Sequence, residues 1–157
     1  MYLGLDLPSQ PLFIDEMSSN QIPQVPLSTL LEKYGNIPTM IEETEWQYKI
    51  LKLPKYLILH YKRFSKHHFS GNEKNPTIVS FDLIHDFGVV LVGDSRKYRL
   101  VANILHDDAK EATKGSYKIQ LCRDGQWYLL KDLIVEEMIT EMVSLTESYI
   151  QIWKRID

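Results

Sequence analysis

Alternating apolar and polar positions predict β-strands along most of this chain. Tyr2–Leu7 alternates in this way and stops at Pro8, which is typical of a half-buried strand. Tyr56–Tyr61 is an almost continuous run of β-prone apolar residues, which predicts a central strand. Asp124-Gly125 has the turn chemistry of a hairpin. The same pattern predicts strands at Thr77–Phe81, Tyr98–Leu105, Tyr117–Cys122, Trp127–Leu130 and Tyr149–Trp153, and around Trp46–Leu51 before Pro54.

Helical signals are fewer. Pro26–Gly35 has proline at its start, glycine at its end and leucines at helical spacing, so it predicts a short helix. The spaced apolar positions of Asp132–Leu145 also predict a helix. Residues 8–26 and 65–77 are predicted connections because they are polar and rich in turn residues. Many strands with few, short helices indicate an α+β fold with a largely antiparallel sheet.

Composition and charge exclude several classes of protein. The 157 residues are 44% hydrophobic and 25% charged, which favours one globular domain over a disordered chain. The formal net charge of -3 gives no overall attraction to nucleic acid or to an acidic membrane. No apolar run approaches the roughly 20 residues that cross a bilayer, so we expect no membrane partner. The first residues lack a signal peptide and begin directly as a strand, so we expect the chain to be part of a longer one.

The histidines and the single cysteine give weak signals for site chemistry. His67 and His68 lie in a predicted polar loop without the spaced Cys/His partners of a zinc site, so we interpret them as solvated surface. Cys122 lies inside a predicted strand, where a buried or half-buried small apolar side chain is the favoured interpretation. We therefore expect no metal and no cofactor.

A basic and aromatic segment at 61–69 raises the question of RNA binding. Lys62, Arg63 and Lys66 alternate there with aromatic residues, which is the type of surface on which single-stranded RNA docks. The segment also follows a strand, where a local basic loop is ordinary, and the chain as a whole is mildly acidic. The sequence therefore favours a local loop over RNA contact.

Several blocks resemble the ubiquitin-specific proteases. The family's histidine box is a strand ending in histidine, then Gly-His-Tyr, then a hairpin to Trp-Tyr-x-Phe-Asp-Asp-x-x-Val. Tyr98–His106, Gly115–Ile119 and Trp127–Val135 are similar to it in this order. Lys52–Phe64 resembles the family's Leu-Pro-x-x-Leu-x-x-His-Leu-Lys-Arg-Phe strand, and Ser148–Arg155 resembles its final strand.

The resemblance implies a fold and a domain organisation. Residues 1–157 would be the C-terminal part of one ubiquitin-specific-protease domain, a partial papain-like fold that lacks the thumb. Residues 1–52 would form a fingers-like region and residues 53–157 the palm-like sheet.

Departures from the family pattern predict a chain that is not an enzyme. In active members the histidine of Gly-His-Tyr is the general base, and the first acid after Trp-Tyr-x-Phe orients it. Ser116 stands at the histidine position and Lys131 at the orienting position. A hydroxyl does not accept a thiol proton near pH 7, and a lysine repels an imidazolium. Asp132 matches the family's second aspartate, and the Asn-x-x-Cys block of the nucleophile is absent from this sequence.

The resemblance is closest to the catalytically degenerate, splicing-associated branch of that family. It rests on Leu5–Pro8, Ile22–Leu27, Lys74–Val79, Gly115–Tyr117 and Tyr149–Arg155, and on the missing zinc cysteines of the fingers. It implies a non-catalytic interaction scaffold in pre-mRNA splicing and tri-snRNP assembly, a nuclear location and spliceosomal protein partners.

Two alternatives to the scaffold stay open. His106, Tyr117 and Tyr149 would line the cleft that holds the ubiquitin tail in active members, so the chain would be a ubiquitin reader if that cleft were retained. Alternatively, the whole protein would be an active deubiquitinase with its cysteine upstream. An exposed sheet edge or face, with a tendency to self-associate, is also expected from the strand at the start of the chain.

Overall fold

The computed structural model describes residues 1–8, 22–35, 38–41, 43–64, 74–91, 93–107 and 114–157. Within them lie two short α-helices, α1 (Leu27–Leu31) and α2 (Phe87–Leu91), and two 3₁₀ helices, Glu32–Tyr34 and Thr140–Leu145. The strands are β1 (Tyr2–Asp6), β2 (Gln24–Pro26), β3 (Thr39–Ile41), β4 (Thr44–Trp46), β5 (Tyr56–Lys62), β6 (Ile78–Ser80), β7 (Ile84–Asp86), β8 (Lys97–Asp107), β9 (Ser116–Arg123), β10 (Gln126–Lys131), β11 (Ile134–Met138) and β12 (Ser148–Arg155).

Eight of the described strands form one sheet, in the order β1-β5-β12-β8-β9-β10-β11, with β7 paired to β8. β1 runs parallel to β5, and every other pair in this sheet is antiparallel. Outside it, β2 pairs with β6 in parallel and β3 pairs with β4 in a small hairpin. The predicted α+β class with a largely antiparallel sheet is confirmed.

The core lies against one face of the sheet. Along β5 burial alternates residue by residue, and Leu57, Leu59 and Tyr61 are fully buried on the core side. The α1 helix adds apolar side chains to the same cluster. Trp153 of β12 is also fully buried and meets the ring of Phe87 edge-on at 5.0 Å between centroids. This face holds most of the apolar area that stabilises the fold.

The opposite face of the sheet carries apolar side chains that remain partly exposed. Period-2 alternation directs onto it the residues that lie between the core positions. Tyr117 at 51% and Tyr2 at 60% exposure are the most open aromatic examples. Ile119 and Leu121 follow Tyr117 along β9 with the same alternation and are also exposed. The described residues therefore leave this apolar face partly uncovered.

The predicted turns and short helices are only partly right. The Asp124-Gly125 hairpin is confirmed, with positive φ at both residues (52° and 85°) as a type I′ turn requires. The helix predicted within Pro26–Gly35 is present as α1 and the following 3₁₀ turn. The connection predicted at 8–26 is wrong at its end, because Gln24–Pro26 is strand β2, and residues 9–21 lie outside the described residues.

The helix predicted for Asp132–Leu145 is also wrong. Asp132, at φ 52°, and its neighbour Leu133 form a two-residue turn, and β11 then runs back beside β10. β-Branched residues at 134 and 135 favour this strand over the helix that the apolar spacing predicts. Only Thr140–Leu145 is helical, as a 3₁₀ helix.

Other differences follow from long-range pairing. The strand predicted around Trp46–Leu51 ends at Trp46, and beyond it only a single bridge joins Lys49 to Gly35. β7 and α2 were not predicted. The division into a fingers-like 1–52 and a palm-like 53–157 stays a prediction, although β1 of the first segment pairs with β5 of the second. No helix among the described residues is long and apolar enough to cross a membrane.

Candidate functional site

The hairpin β9–β10 positions the residues that depart from the family pattern. Gly115, at φ 95°, leads into β9, whose first residue, Ser116, lies opposite Asp107 of β8. Lys131 ends β10, one residue beyond the registered pair of Leu130 with Ile119. Both positions therefore lie at the same end of the hairpin, and Asp132 occupies the turn that follows.

Ser116 is half-buried at the start of β9. Its hydroxyl oxygen is buried and has no hydrogen-bond partner in that part of the chain. Lys131 is half-buried and Asp132 is exposed at its turn. A neutral hydroxyl is not a proton acceptor near pH 7, and a lysine ammonium is not an anion that steadies an imidazolium.

Next to Ser116, aromatic rings from β8, β9, β12 and the segment after β5 form a contiguous cluster. His106 and Tyr117 are cross-strand partners with ring centroids 5.2 Å apart. Tyr149 of β12 lies 6.4 Å from His106 and 6.2 Å from Tyr117. Phe64, just after β5, meets His106 edge-on at 5.0 Å. The structure thus brings together the three residues predicted for the ubiquitin-tail cleft, and their role there stays a prediction.

His106 is the most enclosed member of this cluster. It is 2% exposed, and neither ring nitrogen has a hydrogen-bond partner among the described residues. Its carbonyl oxygen accepts a hydrogen bond from Lys74 Nζ at 2.6 Å, and Lys74 also pairs with Glu147 at 2.6 Å. Buried polar atoms without partners are uncommon, so the two ring nitrogens of His106 make this cluster a candidate site for a further hydrogen-bonding group.

The cluster extends beyond the residues that the sequence singled out. His60 meets Tyr149 edge-on at 5.0 Å and stacks with Tyr2, whose hydroxyl lies 2.6 Å from His60 Nδ1. Burial, aided by the nearby Lys62 ammonium, lowers the pKa of His60. Burial raises the pKa of Tyr149, and the neighbouring Tyr117 adds to this. No local sequence signal places Tyr2 and His60 here, because only the pairing of β1, β5 and β12 brings them beside the cleft residues.

The interpretation of the basic segment 61–69 as a surface loop is wrong for Arg63. Its side chain is fully buried, and the guanidinium donates hydrogen bonds to the carbonyls of Ser148 (2.7 Å), Asn75 (2.7 Å) and Thr77 (2.8 Å). Burial lowers the pKa of Arg63 to about 10. This arginine ties three chain segments together and is not available to RNA.

The other basic residues add little to an RNA surface. Lys62 is half-exposed and binds Asp6 at 2.8 Å. Lys66, His67 and His68 lie outside the described residues. Among the described residues no group of three His, Cys, Asp or Glu side chains is arranged to hold a metal ion. Cys122 is half-buried and packs against the core, as expected of a small apolar side chain.

A cavity of about 510 Å³ lies between β8–β11 and the second 3₁₀ helix. Apolar walls and a rim of charged side chains surround it. The lining residues are Lys74, Leu105, His106, Asp107, Lys118, Gln120, Leu129, Met138, Met142, Thr146 and Glu147. The charges of the rim are matched, because Lys74 pairs with Glu147 and Lys118 with Asp107.

Comparison with known proteins identifies the family. The sequence profile described as ubiquitin carboxyl-terminal hydrolase matches residues 13–153. The chain belongs to the ubiquitin carboxyl-terminal hydrolase family. The resemblance predicted from the histidine box is therefore confirmed at the level of the family.

Similar members of the ubiquitin carboxyl-terminal hydrolase family come from animals and fungi. Ubiquitin carboxyl-terminal hydrolase 39 of Homo sapiens is 42% identical over 100% of this chain and 30% of its own length. The probable mRNA-splicing protein ubp10 of Schizosaccharomyces pombe is 38% identical over 99% of this chain and 34% of its own. The chain thus spans about a third of the length of these curated relatives.

A solved structure supports the same family and fold. The crystal structure of an essential yeast splicing factor superposes with a TM-score of 0.73 and 26% identity, over 99% of this chain and 36% of that one. The predicted partial ubiquitin-specific-protease fold is thereby confirmed.

Proposed function

We propose that this chain is part of a ubiquitin-hydrolase-like domain that does not cleave ubiquitin and serves as a protein-interaction scaffold in nuclear pre-mRNA splicing. Two similar proteins support the connection with splicing: the fission yeast relative is a probable mRNA-splicing protein, and the yeast protein of known structure is an essential splicing factor. Spliceosomal proteins, including those of the tri-snRNP, are the partners that this role requires. The chain covers only about a third of the length of its relatives, so the scaffold role is proposed for the whole protein and not for this chain alone.

The proposed lack of catalysis rests on the serine at position 116. It occupies the position of the general base in the family pattern, and its buried hydroxyl has no hydrogen-bond partner among the described residues. General-base catalysis requires a group within hydrogen-bonding reach of the nucleophile and with a pKa near the working pH. A serine hydroxyl does not meet the pKa condition for a thiol.

A direct test of catalysis uses the full-length protein and a fluorogenic ubiquitin substrate. Wild type and the Ser116→His variant are both expected to give background rates, because Lys131 still repels an imidazolium. Covalent capture by a ubiquitin electrophile tests the alternative of an active deubiquitinase with an upstream cysteine. Hydrolysis by Ser116→His, or capture of the wild type, would contradict the proposal.

The scaffold part is tested by recovering the tagged full-length protein from cells at gentle salt and sequencing its RNA and protein. Enrichment of spliceosomal small nuclear RNAs and their proteins is the expected result. Recovery of ubiquitin conjugates without those RNAs would instead favour a ubiquitin reader and would overturn the scaffold.

A second candidate, the ubiquitin reader, is supported by the aromatic cluster beside Ser116. Tyr117 is 51% exposed there and adjoins the buried ring of His106. If the cluster binds the ubiquitin tail, Tyr117→Ala should weaken ubiquitin binding at least tenfold in a calorimetric titration. Tyr56→Ala, at a tyrosine of similar exposure (46%) on β5, is the matched control. Equal binding by wild type and Tyr117→Ala would remove this candidate.

A further inference from the structure

The β11 strand forms one end of the main sheet and is open along its outer side. It pairs with β10, and no other described strand lies beside it. Residues on both sides of a two-residue hairpin turn exchange both of their backbone hydrogen bonds, so Lys131 and Ile134 form such a pair. Alternation along the ladder then directs the N–H and C=O groups of Val135 and Glu137 outward, away from β10.

The side chains around this edge are apolar and acidic. Leu133 is 99% exposed, and Ile134 and Val135 are each 61% exposed. Glu136 and Glu137 follow them and are exposed as well. Asp132 before the strand and Glu141 after it add two more exposed carboxylates, whereas no lysine or arginine lies between 132 and 141. The lysines and prolines that protect natural edge strands from pairing are therefore absent from β11.

The other end of the sheet shows what a closed edge looks like. The outward carbonyl of Gly4 in β1 accepts a hydrogen bond from the Tyr34 hydroxyl at 2.7 Å. Asp6, at the end of β1, pairs with Lys33 at 2.5 Å and with Lys62 at 2.8 Å. A contact from within the chain thus satisfies the outward Gly4 carbonyl of β1. On β11 the Gln126 side-chain amide donates to the Met138 carbonyl at 3.3 Å, but no such contact to the outward groups of Val135 and Glu137 is found among the described residues.

We propose that the outer edge of β11 binds an extended, basic segment of a partner protein by strand addition. The segment would hydrogen-bond to the outward backbone groups of Val135 and Glu137, the mode by which peptides extend other sheets. Its apolar residues would cover Ile134 and Val135, and its lysines or arginines would face the two glutamates. The order apolar-apolar-acidic-acidic at 134–137 fits a segment with paired apolar and paired basic residues.

A second copy of this chain fits the same edge poorly. In an antiparallel pair of two β11 strands centred on Glu136, that residue would lie directly opposite its own copy. In a parallel, in-register pair Glu136 and Glu137 would both face like charges. Like charges directly opposite each other destabilise a pair of strands. Charge complementarity therefore favours a basic partner over self-association.

The experiment measures binding of a fluorescent decapeptide of repeating Val-Val-Lys-Lys to the full-length protein by anisotropy. We expect saturable binding, and at least tenfold weaker binding of a Val-Val-Glu-Glu decapeptide. Val135→Pro removes an outward N–H without breaking the ladder to β10, since proline is tolerated on edge strands. It should weaken binding of the basic peptide at least tenfold, whereas Val135→Ala, which keeps the N–H, should weaken it less than threefold.

A second variant, which reverses the charge of the two glutamates, tests the proposal even if the proline variant does not fold. The surface double variant Glu136→Lys/Glu137→Lys should bind the acidic peptide better than the basic one. Absence of binding by wild type, equal binding by wild type and Val135→Pro, or unchanged preference in the double variant would each overturn the proposal. A wild-type dimer in sedimentation that Val135→Pro dissociates would assign the edge to a second copy and would also overturn it. The proposal rests on the scaffold role proposed above. Peptide binding by purified protein and recovery of spliceosomal RNA from cells are separate measurements, so failure of one proposal is distinguishable from failure of the other.

Discussion

The two ends of the sheet differ in how their polar groups and apolar side chains are satisfied. In the half formed by β1, β5 and β12, called the inner half, the core-facing apolar side chains are buried and the buried polar groups of Tyr61, Gln151 and Trp153 are hydrogen-bonded to one another. Tyr61 there donates to Gln151 Oε1 at 2.7 Å, which also accepts from Trp153 Nε1 at 3.1 Å. In the outer half, formed by β9, β10 and β11, the Ser116 hydroxyl lacks a partner among the described residues and Leu133 is almost fully exposed.

This difference indicates that stability and recognition are separated in the molecule. Buried hydrogen bonds and packed apolar area stabilise the inner half, and changes there should act on folding. In the outer half and the aromatic cluster, exposed apolar side chains lie beside the unpartnered polar atoms of Ser116 and His106, and binding of other molecules is expected there. Substitutions in each half therefore test the separation.

The largest expected effect is at Arg63 in the inner half. Arg63→Met leaves the carbonyls of Ser148, Asn75 and Thr77 without their buried donor, so we expect a loss of about 3–5 kcal/mol in the free energy of unfolding. Urea denaturation followed by tryptophan fluorescence measures it. Lys62→Met, which removes the neighbouring exposed charge, is the control and should cost less than about 1 kcal/mol. Equal effects of the two changes would show that Arg63 is not the anchor.

Removal of one hydroxyl at Tyr61 should have a smaller effect. Tyr61→Phe breaks the buried bond to Gln151 and is expected to cost about 1–2 kcal/mol at pH 7. Burial raises the pKa of Tyr61 far above its ordinary value, so the folded state keeps this proton when the unfolded chain loses it. Stability should therefore fall as the pH rises above about 10, and less steeply in the variant. Parallel curves for the two proteins between pH 9 and 11 would count against this.

A weaker pH effect is expected on the acid side from His85. Burial against Phe87 and Trp153 lowers its pKa, although Asp82 and Asp86 oppose the shift. The unfolded chain then binds a proton that the folded state refuses, so stability should fall as the pH drops below about 6.5. His85→Gln should flatten the dependence of the urea midpoint between pH 7 and pH 5.

The control for this pH effect is Lys154→Gln, at an exposed lysine of β12, which should leave the dependence unchanged. A His85→Gln protein as acid-sensitive as wild type would show that other groups set this dependence.

The smallest effect is expected at Ser116 in the outer half. Because its hydroxyl has no hydrogen-bond partner among the described residues, Ser116→Ala should change the free energy of unfolding by less than about 0.5 kcal/mol. The same urea experiment measures it. A loss above about 1 kcal/mol would reveal a buried bond at this position and would weaken the contrast between the halves.

Local pattern predicted much of this fold, and long-range pairing accounts for the rest. A nearly continuous apolar run identified β5 as a central strand, and Asp124-Gly125 identified the β9–β10 hairpin, because both signals are local. Arg63 was taken for part of a basic loop because its carbonyl partners come from segments remote in sequence. β11 was taken for a helix because its apolar spacing suits both structures, and only pairing with β10 decides between them.

The candidate site was predictable to a similar degree. The pattern of the histidine box placed His106, Tyr117 and Tyr149 in one cleft, and the structure brings their rings together. The contributions of Tyr2 and His60 depend on the order of β1, β5 and β12, which no local signal encodes. The open edge of β11 likewise appears only when the sheet is assembled.

The position of β12 between β5 and β8 has a consequence for synthesis on the ribosome. Both neighbours are translated well before Ser148–Arg155, so the two parts of the nascent sheet stay unjoined and expose inner edges until β12 emerges. Such late, non-local closure slows folding and prolongs the exposure of strands prone to aggregation. A premature stop codon before Ser148 should therefore yield a product that chaperones retain and proteases degrade.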